Sequence, residues 1–220
     1  MAHFPPKKNL NACKAFDSIK NFFLKEGLVV AQLSRRGAGL SEGSEMDEYK
    51  MTPIESGMEM VKDIRQALIY MKSKSYTNKN KFVIGGHSQG GWAALAAASS
   101  NLKGVKCVIN FSGAVNYRKR PQAGDWAHKA NFDFIQACKK LAQTTKVSSL
   151  WIYGDKDKNH KENDIKAMYL AYEQFGGKAD LLILPNTEHN TINSKAQKLW
   201  AKVCYEFLLK NKIISEPGSD

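Results

Sequence analysis

A chain of 220 residues is long enough for one domain with a full hydrophobic core and short for two. Its content, 43% apolar and 25% charged, is that of an ordinary folded protein, and no apolar run reaches the roughly 18–20 residues that span a bilayer. The net charge of +12 comes mostly from lysines scattered along the chain, as in "KSKSYTNKNK", with no nucleic-acid motif beside them. That pattern reads as surface solvation, and neither nucleic acid nor membrane is expected as a partner.

Taken in chain order, Leu10 to Glu26 predicts a helix, with Phe16, Ile19 and Phe23 at helical spacing and Gly27 as its stop. "LVVAQL" (Leu28 to Leu33) reads as a short buried strand, and residues 34–51 as a glycine-rich polar loop. Thr52-Pro53-Ile54-Glu55 carries three helix-start signals: a capping threonine, proline at the first helical position, and a glutamate that completes a capping box. Met58, Val61, Ile64, Leu68 and Met71 are then expected to mark the buried face of a long helix. "KFVIGG" is the next strand, followed by an alanine-rich helix, and "VKCVINFSG" is another strand. Residues from about 114 to 147 are mixed and partly helical. "SSLWIYG" predicts a strand, "NDIKAMYLAYEQF" a helix closed by Gly176-Gly177, "ADLLILP" a strand, and Ser194 to Leu209 an amphipathic helix. Residues 1–212 read as a single domain and 213–220 as a flexible tail.

Strands and helices alternate, and the strands are nearly continuous apolar runs. The expected fold is therefore α/β, a mostly parallel sheet with helices on both faces. Functional groups in such folds sit on loops at the carboxyl ends of strands. Cys13, Cys107, Cys138 and Cys204 are far apart with no C-x-x-C pair, so they read as buried free thiols, with disulfides in an exported protein as the alternative for an even number; neither a metal nor a cofactor is expected. The N-terminal "MAHFPPKKNLNA" has no apolar core of a signal peptide, which leaves the compartment open.

Gly86-His87-Ser88-Gln89-Gly90 fits G-x-S-x-G, placed where a predicted strand becomes a predicted helix. That is the setting of a nucleophile elbow, a turn so tight that the glycines two residues either side of the serine are read as positions that must lack bulk. Two later strands end in candidate partners, Asp157 after "SSLWIYG" and His189 after "ADLLILP". A serine hydroxyl needs a base within hydrogen-bond reach, and the base needs a carboxylate that fixes its tautomer. His87, on the elbow itself, is expected to point away from Ser88, and His128 and His160 are expected on the surface.

On "GGHSQGG", "RRGAGLSEG", "WIYGDKD" and "GGKADLLILPNTEHN", the sequence resembles the α/β-hydrolases, specifically small serine hydrolases of the dienelactone-hydrolase-like and prolyl-oligopeptidase-related groups. The resemblance runs to about Leu209. It implies the chain order nucleophile, acid, histidine, hence Ser88, Asp157 and His189 as a triad. It favours Asp157 over Asp155, since the family pattern is glycine, two variable residues, then aspartate. It implies an oxyanion hole of the Gln89 backbone N–H and a second donor from the N-terminal loop. Phe4 is the candidate there, because Pro5 and Pro6 have no N–H, and His3 is a wall of the site. The family usually carries two or three strands before the first helix of this pattern. Here "AHFPPKKN" resembles the end of the third strand, with the strand itself missing. The short stretch between "NFSG" and "SSLWIYG" leaves little room for a cap, with Tyr117, Trp126 and Phe132 as lining. The expected activity is hydrolysis of small carboxylic esters or lactones through an acyl-enzyme. A peptidase or acyltransferase on the same triad is an alternative, as is a non-catalytic binding member of the fold.

Overall fold

The computed structural model describes residues 16–38, 41–47, 50–115 and 126–216, and of 126–131 the backbone alone. Among them the helices are α1 (Asp17–Lys25), α2 (Pro53–Lys72), α3 (Gln89–Ser99), α4 (Trp126–Thr144), α5 (Glu162–Gln174) and α6 (Ser194–Lys210). The strands are β1 (Phe82–His87), β2 (Val105–Phe111), β3 (Ser148–Gly154) and β4 (Lys178–Leu184). All four strands pair in parallel, in the order β1-β2-β3-β4.

Alternation along each strand divides the core into two layers. Ile84, Val108, Trp151 and Tyr153 face one side, where α2, α3, α4 and α5 supply Val61, Leu95, Leu141 and Ile165. Val83, Ile109, Leu150 and Ile152 face the other, against Phe22 of α1 and Trp200 and Phe207 of α6. Helix α3 is buried from Gly91 to Ser99, which is why it is alanine-rich: it lies inside the first layer and shows no face to water. Small side chains let α2 approach it closely. A Cβ on Gly57 would stand 2.9 Å from the Ala96 Cβ, and Trp92 Nε1 donates to the Pro53 carbonyl at 2.7 Å.

The capping signals of α2 are realised. Thr52 Oγ1 accepts from the Glu55 N–H, and the Glu55 carboxylate accepts from the Thr52 N–H at 2.8 Å. Its buried face differs from the expected one, because Met58 is 41% exposed. The inward stripe is Gly57, Met60, Val61, Ile64 and Leu68, a run of three- and four-residue steps that leaves position 58 on the flank.

"LVVAQL" is not a strand. Residues 28–33 run without a ladder, Val29 is 57% and Leu33 46% exposed, and only Leu28 and Val30 pack on the second layer. An apolar run becomes a strand only by finding backbone partners. β1 bonds to β2 along one side, and residues 28–33 make no ladder with its other side, so β1 is an edge strand among the described residues. Ile213 is buried and Ile214 packs on the second layer, so the segment expected as a tail begins with docked residues. Cys107, Cys138 and Cys204 are buried free thiols, and burial pushes the Cys107 thiol up to about 12; Cys13 lies outside the described residues. Among the described residues no helix is long and apolar enough to cross a membrane.

Because all strands run the same way, their carboxyl ends gather at one pole. Replacing the cap that starts α2, Thr52→Ala, is expected to cost about 1 kcal/mol in urea unfolding, with the slope of the transition unchanged.

Candidate active site

Ser88 joins β1 to α3 with φ 54° and ψ −120°, a conformation that costs a non-glycine residue on the order of 1–3 kcal/mol. Backbone bonds hold it there. Its N–H donates to the Phe111 carbonyl at 2.9 Å, and its carbonyl accepts from Trp92 N at 3.0 Å and Ala114 N at 3.1 Å. Serine is a preferred helix cap, yet Ser88 does not cap α3. Its hydroxyl instead donates to His189 Nε2 at 2.9 Å.

The glycines crowd differently from the sequence reading. A Cβ on Gly86 would fall 2.4 Å from the Gly90 carbonyl carbon and oxygen, as a tight turn requires. A Cβ on Gly90 would meet nothing within 4 Å among the described residues, whereas one on Gly91 would stand 2.5 Å from Asn110 Oδ1. The second position that must lack bulk is therefore Gly91, where α3 passes over the end of β2.

His189 comes from the loop after β4, three strand spacings from β1, or roughly 14 Å. Its ring spans to Ser88 on one side, and on the other Nδ1–H donates to Asp157 Oδ2 at 2.9 Å. The Asp157 side chain is fully buried, and its other oxygen accepts from the Asn159 N–H at 2.8 Å. Burial alone would raise this carboxyl, but the bonds from His189 and Asn159 outweigh it and the net direction is down. Asp155 instead accepts from the N–H groups of Asn186 and Thr187, both at 3.0 Å, which hold its carboxyl below the ordinary value. It shapes the histidine loop, not only its own turn.

The structure thus brings Ser88, Asp157 and His189 together at the carboxyl ends of β1, β3 and β4. Gln89 opens α3, where the first N–H groups of a helix lack intrahelical acceptors. Phe4, His3 and Tyr117 lie outside the described residues, as do the side chains of Trp126 and His128; Phe132 is 59% exposed on α4. No group of His, Cys, Asp and Glu that could hold a metal ion occurs among the described residues.

One histidine departs from expectation and another makes a contact the sequence did not suggest. His87 points away from Ser88 as expected, yet its Nε2–H donates to the His189 carbonyl at 2.8 Å, and burial lowers its pKa. His160 is not on the surface but 3% exposed, with its ring 4.6 Å from Phe134. Among the described residues neither of its nitrogens makes a hydrogen bond of normal geometry, although the Gly113 carbonyl weakly favours its proton. Burial drives its pKa down to about 4 against the pull of Asp157 and Asp164. No sequence signal marks either residue, since each takes its role from chain brought near by the fold.

These features, a parallel sheet with a strained serine turn and a histidine loop returning to it, define an α/β-hydrolase. The model of the prolyl oligopeptidase family matches residues 14–212, and the chain belongs to that family, within the α/β-hydrolase superfamily of serine hydrolases. Among solved structures, an esterase from Pyrococcus furiosus is similar with a TM-score of 0.67 and 18% identity, over 88% of this chain and 75% of that one. A puromycin-hydrolyzing peptidase of Mycobacterium tuberculosis is similar with a TM-score of 0.58 and 16% identity, over 75% of this chain and 27% of that one. A Klebsiella pneumoniae protein assigned as a dienelactone hydrolase is similar with a TM-score of 0.50 and 16% identity; the match covers 68% of this chain and 58% of that one. A search of curated proteins finds no match to the sequence.

Two outcomes follow from this geometry. Gly91→Ala is expected to destabilise the fold by about 1–3 kcal/mol through overpacking, while Gly90→Ala stays within about 0.5 kcal/mol, both read by chemical unfolding. The unfolded His160 binds a proton that the folded ring refuses, so its contribution is complete above about 6.5 and is lost as pH falls towards about 4. The loss is on the order of 3 kcal/mol at about 1.4 kcal/mol per pH unit. Thermal unfolding of wild type and His160→Leu at pH 7.5 and 4.5 checks it: the wild type loses more of its melting temperature on acidification than the variant.

Proposed function

We propose that this protein is a serine hydrolase that cleaves small carboxylic esters or lactones through an acyl-enzyme. The observation that carries the reading is the unbroken chain of hydrogen bonds from Asp157 through His189 to Ser88, 2.9 Å at each link. Ser88 Oγ attacks the substrate carbonyl while His189 Nε2 takes its proton. The buried Asp157 carboxylate holds the Nδ1–H tautomer and stabilises the imidazolium. The oxyanion receives the Gln89 N–H, with the Phe4 N–H assigned as second donor, at the positive end of α3. His189 returns the proton to the leaving alcohol oxygen. A water then attacks the acyl carbon as His189 Nε2 takes its proton; the acyl–Oγ bond breaks, His189 returns that proton to Ser88 Oγ, and the acid leaves with the serine and histidine restored.

The similar Pyrococcus furiosus esterase supports an ester as substrate, and the likeness to dienelactone-hydrolase-type chains supports a lactone. A peptidase on the same triad is favoured by the family match and by the Mycobacterium tuberculosis peptidase. p-Nitrophenyl esters of increasing acyl length, run beside aminoacyl p-nitroanilides, separate the two readings. Turnover confined to the anilides replaces the ester reading with the peptidase one.

Ser88→Ala is expected to lower turnover by ~10⁴ or more. Asp157→Asn is expected to cost up to ~10⁴ by admitting the wrong histidine tautomer. Asp155→Asn mainly lowers thermal stability. Retained activity in Ser88→Ala refutes the assignment, and the reverse ranking of the two aspartates moves the acid to Asp155.

A further inference from the structure

The order of the strands sets a problem of reach. The base comes from β4, yet it works on a serine at the end of β1, with β2 and β3 between them. Side-chain bonds alone would leave a loop of this length free to drift, so its backbone must be tied down along the way. Each intervening strand end supplies a tie, β3 to the loop backbone and β2 to a loop side chain. From β3, Asp155 accepts from Asn186 and Thr187, and Lys156 N donates to the Thr187 carbonyl at 2.9 Å. From β2, Ser112 Oγ meets Thr191 Oγ1 at 3.1 Å. From α6, Trp200 Nε1 donates to the Thr191 carbonyl at 2.9 Å. On β1, the strand that carries the nucleophile, His87 Nε2–H donates to the His189 carbonyl of the loop backbone at 2.8 Å.

We infer that His87 is a positioning residue that fixes the base against the nucleophile, resting on the proposed role of Ser88. His87 and Ser88 are adjacent, so one peptide bond joins the group that holds the His189 backbone to the group that its ring must activate. A carbonyl can only accept, which assigns the His87 proton to Nε2 and leaves Nδ1 bare. The His87 ring stacks at a tilt against His189, with centroids 5.0 Å apart. Burial lowers the His87 pKa and so favours its neutral form, and neutrality matters there: a second positive charge 5 Å away would oppose the imidazolium that forms on His189 during attack. A donor that is neutral, planar and fixed by the strand satisfies both demands, whereas lysine or arginine at this position would satisfy only the first.

His87→Phe keeps the ring and removes the donor, and His87→Gln keeps an N–H at similar reach. With p-nitrophenyl acetate, His87→Phe is expected to lower kcat by ~10- to 100-fold, the scale of a small misplacement of a catalytic group, with KM held within about twofold. His87→Gln is expected to recover most of that loss. A fluorophosphonate, which reads nucleophile activation at Ser88 whatever the natural substrate, is expected to label His87→Phe more slowly by the same factor as kcat. Wild-type kcat and labelling rate in folded His87→Phe overturn the inference, as does equal loss in the Phe and Gln variants. If His87→Phe does not fold, His87→Asn, whose donor is too short to reach, takes its place against His87→Gln under the same criteria. The Ser88→Ala variant keeps the two readings separate. If it is active or the wild type is not labelled at Ser88, the hydrolase reading fails and this inference with it. If Ser88 is required but His87→Phe is unimpaired, only the inference fails.

Discussion

The arrangement depends on one strained residue. Ser88 takes a left-handed backbone conformation, which turns β1 into α3 within a single step and frees its hydroxyl from capping. Nothing local favours this. It persists because the Ser88 amide is bound to the Phe111 carbonyl of β2 and the Ser88 carbonyl is bound twice, to Trp92 and Ala114. Gly86 and Gly91 let the backbone of β1, the body of α3 and Asn110 of β2 approach to distances that no Cβ would allow. The strain is thus imposed by the sheet and by the first core layer, and both must form before the serine is presented.

The first layer explains the composition of the helix that follows. α3 is packed on several sides, so it is built of alanine with one large anchor, Trp92, whose indole is tied to Pro53 at the start of α2. Proline and threonine at that start serve two purposes: they cap α2, and they set the carbonyl that receives Trp92. The elbow and the entrance to α2 are therefore one packing unit.

On the acid side, the two aspartates of "YGDKDKNH" divide the work by position. Asp155 holds the backbone of the histidine loop, and Asp157, fully buried, holds the histidine ring. Burying a carboxylate is costly unless its oxygens are satisfied. Asp157 meets that condition with His189 on one oxygen and Asn159 on the other. His160 shares the same buried region without a full complement of bonds, and it does so by staying neutral.

What the sequence determined by itself is local. Strand, elbow and helix were legible from "KFVIGGHSQGGWAALAAA", the capping box from Thr52 and Glu55, and the parallel sheet from unbroken apolar runs, because each signal lies within a few residues of what it specifies. Ser88, Asp157 and His189 were legible as strand-end residues and through the family resemblance. The tertiary structure decided the rest. "LVVAQL" has the composition of a strand, but strand formation needs a partner backbone, and no property of those six residues supplies one. Gly91 rather than Gly90 carries the crowding because Asn110, from another strand, occupies that space. His160 reads as a loop residue in a polar stretch, and Phe134 and Tyr153 bury it. His87 reads as a neighbour of the serine that points elsewhere, and it meets a carbonyl 102 residues away because four parallel strands end at one pole. Periodicity and turn chemistry record what a residue does with its neighbours in the chain; contacts between strand ends depend on strand order, which one sequence does not display.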